Sequence, residues 1–140
     1  MRIGYAISNP TLIKYLNDAK YSFNSYTMNQ PSLVYGVEAV KDKAYFEETV
    51  QKIVNTREWA KKEFHALGFE CLESSANFIF VKHPEHDAKE IFEALRENGI
   101  YVRYWGSKRI EQYLRVTIGT DEEMKAFFEF LRLYLSGKGK

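Results

Sequence analysis

One stretch constrains the fold more than any other. From about Lys43 to Leu67, Phe46, Val50, Ile53, Arg57, Ala60, Phe64 and Leu67 recur at three- and four-residue steps, the spacing of one helical face. Glu48 with Lys52, and Glu58 with Lys62, add acid-before-base pairs at four-residue spacing. At 1.5 Å per residue such a helix is about 37 Å long, more than a small compact domain needs. A helix of that length often connects two bodies of mass. Gly68 stands where a left-handed residue ends a helix.

Beyond Gly68 the pattern alternates between strand and helix. Short strands are expected around Phe69–Leu72, Asn77–Val81, Ile100–Tyr104 and Tyr113–Ile118. Helices are expected from about Asp87 to Glu97, with Ala88, Ile91, Phe92 and Leu95 buried, and after Thr120, with Met124, Phe127, Phe128, Leu131 and Leu135 buried. Thr120-Asp121-Glu122-Glu123 reads as a capping box. The fold class is therefore α+β: a small mixed sheet with helices against one face, preceded by a long interdomain helix. The other face of such a sheet is free to meet something else.

The first 42 residues follow a different logic. Arg2–Ile7 reads as a short strand with no partner nearby. Asn9 or Thr11 caps a helix carrying Leu12, Ile13 and Leu16. The stretch from Tyr21 to Ser32 reads as a polar, aromatic loop, and Pro31 opens a second helix with Leu33, Val34, Val37 and Val40 on one side. The expected division is residues 1–42, a piece of another body, and residues 43–140, the small α+β domain.

Composition narrows the function. Twenty basic residues stand against 19 acidic ones, for a net charge of +1, which disfavours a dedicated nucleic-acid or membrane-surface binder. No apolar run approaches the roughly 20 residues that span a bilayer. The single cysteine, Cys71, has no internal partner, which favours a reducing, cytoplasmic setting. His83-Pro84-Glu85-His86 offers too few ligands for a metal and reads as a solvated turn, so no metal is expected.

Arg115 is the residue that asks for chemistry. Leu114, Val116 and Ile118 pin its strand to the core, so Arg115 faces away beside Tyr113 and Thr117. Arg103 lies on the preceding strand, and neighbouring strands put both guanidiniums on one side. Two like charges held together call for an anion, and the guanidinium fork fits carboxylate and phosphate. The bland alternative is an arginine snorkelling to water or paired with Glu111. The basic and aromatic run Arg103–Arg109 also fits single-stranded nucleic acid, as an independent α+β binding module. Charge balance and the lack of an RNA-binding motif rank that second.

Several motifs occur in a telling order: Met1-Arg2-Ile3-Gly4-Tyr5, Phe23-Asn24-Ser25-Tyr26 running to Asn29-Gln30, Ser75-Ala76-Asn77-Phe78, and Leu114-Arg115-Val116-Thr117-Ile118-Gly119-Thr120. Together they resemble the C-terminal portion of the fold-type-I, pyridoxal-phosphate-dependent aminotransferases, and most of all the histidinol-phosphate aminotransferases. The resemblance implies that Arg2 binds the phosphate of pyridoxal phosphate. It implies that Arg115 and Arg103 bind the anionic end of the substrate, alternately a phosphate ester and a glutamate carboxylate. Asn24 matches the first asparagine of the family's Asn-x-Asn loop, with Tyr26 at the second, and is expected to contact substrate. The family's Schiff-base lysine belongs just before Met1, so the expectation is a C-terminal fragment of a histidine-biosynthetic transaminase, inactive alone. An aromatic amino acid aminotransferase is the alternative parent. The parent is expected to be a homodimer, and residues 1–42 are expected to be poorly ordered, repacked or paired with another copy.

Overall fold

Short polar side chains set where the helices begin, and the computed structural model describes this for residues 3–137. Asn9 Oδ1 accepts from the Leu12 amide at 3.0 Å and starts α1, Pro10–Phe23. Asn29 does the same for Ser32 at 2.9 Å and starts α2, Gln30–Lys41. Each satisfies an amide that the first helical turn leaves without a partner. Asp42 accepts from the Tyr45 amide at the head of α3, Lys43–Ala66.

The chain divides into two units, Met1–Glu48 and Thr49–Lys140, with the boundary inside α3. In the first unit two sequence expectations need correction. The expected strand Arg2–Ile7 does not form: Arg2 lies outside the described residues, and residues 3–9 have no regular structure. A strand exists through its ladder, and no described strand pairs with this run. The expected loop starts later than Tyr21, because α1 continues to Phe23. No glycine or proline interrupts Tyr21–Phe23, and the helix stops at Asn24, whose amide donates to the Lys20 carbonyl at 2.8 Å. None of residues 3–48 is buried.

The second unit holds the core. Its strands are β1 (Glu70–Cys71), β2 (Phe78–Lys82), β3 (Arg103–Tyr104) and β4 (Leu114–Thr117), ordered β1-β2-β4-β3 with every pair antiparallel. Between β2 and β3 lies α4, Ala88–Glu97, and after β4 comes α5, Asp121–Leu135. The register pairs Ile79 with Val116 and Val81 with Leu114, so these four share one face, and all are buried. Against that face pack Ala60 and Phe64 of α3, Ile91 and Leu95 of α4, and Met124, Phe127, Phe128 and Leu131 of α5. Phe64 meets Phe127 and Phe128 edge-on at 5.7 and 4.8 Å. Burial of each such side chain is worth about 1.5–3 kcal/mol relative to exposure.

The flanking strands are shorter than their alternation suggests, and helix closure takes the first amide of each. Gly68 and Gly99 adopt φ of +84° and +75° and close α3 and α4. Each closure uses the next amide: Phe69 donates to the Phe64 carbonyl and Ile100 to the Leu95 carbonyl, both at 2.9 Å. Those amides are then lost to a ladder, and β1 and β3 begin later than Phe69 and Ile100.

Arg57, expected in the apolar stripe of α3, is buried but makes polar bonds. Its Nη1 donates to the Ala76 carbonyl at 3.0 Å and its Nε to Glu58 at 3.1 Å. It thereby ties α3 to the turn that enters β2. The expected turn at His83–His86 forms, with Pro84 and Glu85 exposed, but it is not solvated throughout. His83 is half-buried, and Nδ1 accepts from the Glu85 amide at 3.1 Å. Its Nε2 therefore carries the proton and donates to the Leu67 carbonyl at the end of α3, also at 3.1 Å. No group of three metal-ligating residues exists among the described residues.

Candidate functional site

The sheet face opposite the core carries the candidate site. Antiparallel pairing sets Arg115 of β4 directly across from Arg103 of β3 on one side and from Phe80 of β2 on the other. Paired residues share a face, so both arginines project from the same side of the sheet. Phe78, Lys82 and Glu70 belong to that side as well.

Aromatic rings take the place that carboxylates would normally fill. The Arg115 guanidinium carbon lies 5.1 Å from the Phe78 ring centre and 5.3 Å from that of Trp105. The Arg103 guanidinium lies 5.6 Å from the same Trp105 ring. Trp105 stacks on Phe80 at 5.8 Å and 16°, and Tyr113 leans on Phe80 at 5.9 Å. Cation–π contact compensates the two positive charges without occupying the N–H donors at the guanidinium edges. Among the described residues neither arginine forms an ion pair. Arg115 Nε is buried and has no acceptor. The bland pairing with Glu111 does not occur either, since Glu111 Oε2 is itself buried without a partner. An unsatisfied buried donor on a fixed cation is costly, and the guanidinium charge remains for an oxyanion to meet.

Lys82 does not share this openness. Its ammonium sits 2.9 Å from Glu70, and that carboxylate's hydrogen bond and charge raise its pKa. Lys82 is thus held as a cation rather than as a neutral amine.

Of the residues singled out in the sequence, Arg103 and Arg115 are brought together. Asn24 belongs to the first unit, where it ends α1 and accepts from the Tyr26 amide at 3.1 Å. Arg2 lies outside the described residues. Sequence reasoning missed the aromatic support from Phe78, Phe80 and Trp105. Its signal was present in Asn77-Phe78-Ile79-Phe80-Val81, where large apolar residues occupy both faces of one strand. A cleft of about 710 Å³ lined by Ile53, Thr56, Trp59, Ile118 and Asp121 lies elsewhere in this unit, and neither arginine lines it. No helix among the described residues is long and apolar enough to cross a membrane.

Comparison with known proteins gives the chain's family. The family of class I and II aminotransferases matches residues 1–131. A histidinol-phosphate aminotransferase of Brachyspira hyodysenteriae is 49% identical over 132 residues, covering 94% of this chain and 37% of its own length. That of Lactococcus lactis subsp. cremoris is 44% identical over all 140 residues, which are 39% of its length. The crystal structure of the Sinorhizobium meliloti histidinol-phosphate aminotransferase, a complex with pyridoxal-5'-phosphate, shares the fold with a TM-score of 0.75. It is 24% identical and covers 86% of this chain and 34% of that one. The chain thus spans somewhat over a third of the length of the curated relatives it matches. With a family match that takes in nearly every residue, the chain belongs to the class I and II aminotransferases.

Proposed function

We propose that these 140 residues supply the substrate-anion side of a histidinol-phosphate aminotransferase site. The full reaction exchanges an amino group between histidinol phosphate with 2-oxoglutarate and imidazole acetol phosphate with glutamate, in histidine biosynthesis, with pyridoxal phosphate as cofactor. The observation that carries this reading is the cross-strand pair Arg103–Arg115, aimed to one side with no ion-pair partner among the described residues. One guanidinium pair serves both half-reactions, because a phosphate monoester and a side-chain carboxylate present the same oxyanion edge. The names of the relatives at 44–49% identity support the choice of substrate. Residues 1–42 belong on this reading to the cofactor-binding body, with Arg2 toward the cofactor phosphate and Asn24 toward substrate, in an enzyme that works as a homodimer.

On this reading the arginine face fits the substrate's anion, and the lysine on that face does not fit covalent attachment of the cofactor. A Schiff-base lysine must be available as a free amine. Lys82, the lysine on the arginine face, is ion-paired with Glu70 and shifted the opposite way. We infer on this reading that the chain by itself is an anion-binding half-site and not a working transaminase.

Two measurements test this. Borohydride trapping after mixing with pyridoxal phosphate is expected to label no single lysine stoichiometrically, and glutamate is expected to be left unconsumed. Calorimetric binding of histidinol phosphate is expected to fall at least about tenfold in Arg115→Ala, the loss of one charge-assisted bond. Stoichiometric labelling with glutamate turnover refutes the half-site reading. An Arg115→Ala affinity equal to wild type refutes the anion site.

A further inference from the structure

Arg103 and Arg115 are directly opposed across the β3–β4 ladder, and like charges in that position repel. Something must hold them convergent while leaving their donors open. We propose that Trp105 is the positioning residue of the pair, a clamp whose indole ring orients both guanidiniums toward one small phosphate or carboxylate ligand. The proposal rests on the anion-site reading above.

The geometry is specific to this ring. Trp105 is the aromatic side chain that lies against both guanidiniums, at 5.6 Å for Arg103 and 5.3 Å for Arg115. It is half-buried and cannot swing freely, because it stacks on Phe80 at 5.8 Å. Phe80 in turn sits opposite Arg115 in the β2–β4 ladder, with Tyr113 against it. The indole is thus fixed to the same strand pair that carries Arg115. A carboxylate at position 105 would also compensate the charges, but it would fill the N–H edges that a ligand needs. An indole has a donor and no acceptor, so its face compensates charge while the edges stay free.

The test uses the full 140-residue chain, histidinol phosphate as the probe, and low-salt chloride buffer. Trp105→Leu is expected to weaken binding by about five- to tenfold, and Trp105→Phe, which keeps a ring face, to stay within about twofold of wild type. The chain has two tryptophans, and Trp59 packs on Phe128 at 5.4 Å in the core. In a Trp59→Phe background Trp105 is then the sole indole. Its fluorescence is expected to change saturably with the calorimetric midpoint, and this readout survives even if the leucine variant fails to fold. Wild-type affinity in Trp105→Leu alongside weak binding in Arg115→Ala overturns the clamp and leaves the anion site standing. Equal weakening by leucine and phenylalanine, or silent fluorescence during calorimetric binding, also overturns the clamp. Wild-type affinity in both Arg103→Ala and Arg115→Ala removes the anion site, and the clamp with it.

Discussion

At the scale of single residues, burial and partner choice decide which side chains react. Arg115 has aromatic faces for neighbours and no acceptor for its Nε, so its binding capacity is unspent. Cys71 is the opposite case. Burial, helped by Glu73 and opposed by Lys61, pushes its thiol from 9.0 up to about 11. The thiolate is the reactive form, so at pH 8 its alkylation is expected to be about 100-fold slower than that of an ordinary cysteine, measured by iodoacetamide labelling with mass detection. The sign for stability follows. The folded state disfavours the thiolate, so the contribution is intact below about pH 9 and is lost as pH rises toward about 11. Cys71→Ala is expected to flatten that part of the stability profile. Arg115's orientation was legible in the sequence because alternation in a strand is local. The thiol's inertness was not, because it depends on what packs over β1.

At the scale of elements, local signals at helix starts read through faithfully. Thr120 Oγ1 accepts from the Glu123 amide at 3.2 Å, and Glu123 Oε2 accepts from the Thr120 amide at 2.7 Å. That capping box lies within four consecutive residues, and so its sequence announced it. Gly119 is part of the same device. A Cβ there would press on Glu123, 3.2 Å from its Cβ and 3.3 Å from its Cδ, with a carboxylate oxygen closer still. Gly119→Ala is expected to force Glu123 out of the box and cost about 1 kcal/mol, as Thr120→Ala does, read from urea midpoints. The double variant is expected to cost less than the sum, because both changes break one reciprocal pair. Strand ends were less legible. Phe69 and Ile100 continue an alternating pattern, yet their amides close the preceding helices. Arg57's bond to Ala76 spans 19 residues, and no local period reveals it.

At the scale of the whole molecule the two units differ in what holds them. The second unit buries a contiguous core under its sheet. In the first, α1 and α2 have 14 and 12 residues and bury none. Tyr5, Phe23 and Tyr26 are each at least 90% exposed. Helices of that length are marginal in water without packing. Hydrogen exchange is therefore expected to find amides of α1 and α2 within about a hundredfold of unstructured rates, with those of β2 and β4 at least about 1000-fold slower than α1. Protection of α1 that rises with protein concentration would instead reveal association of copies through these apolar surfaces. The sequence pointed to two bodies through the length of α3 and the change of pattern around it.

By itself the sequence determined the α+β class, the helix starts, the core-facing residues of β2 and β4, and the outward direction of Arg115. All of these follow from periods of two and 3.6 residues or from caps spanning four residues. Only the tertiary structure decided the order β1-β2-β4-β3, which sets Arg103 opposite Arg115 and Phe80 beside it. Only it decided that the two cations share one indole ring rather than a carboxylate. The physical reason is reach. Propensity and capping act within a few residues, whereas strand pairing and ring contacts join positions that the chain must fold to bring together.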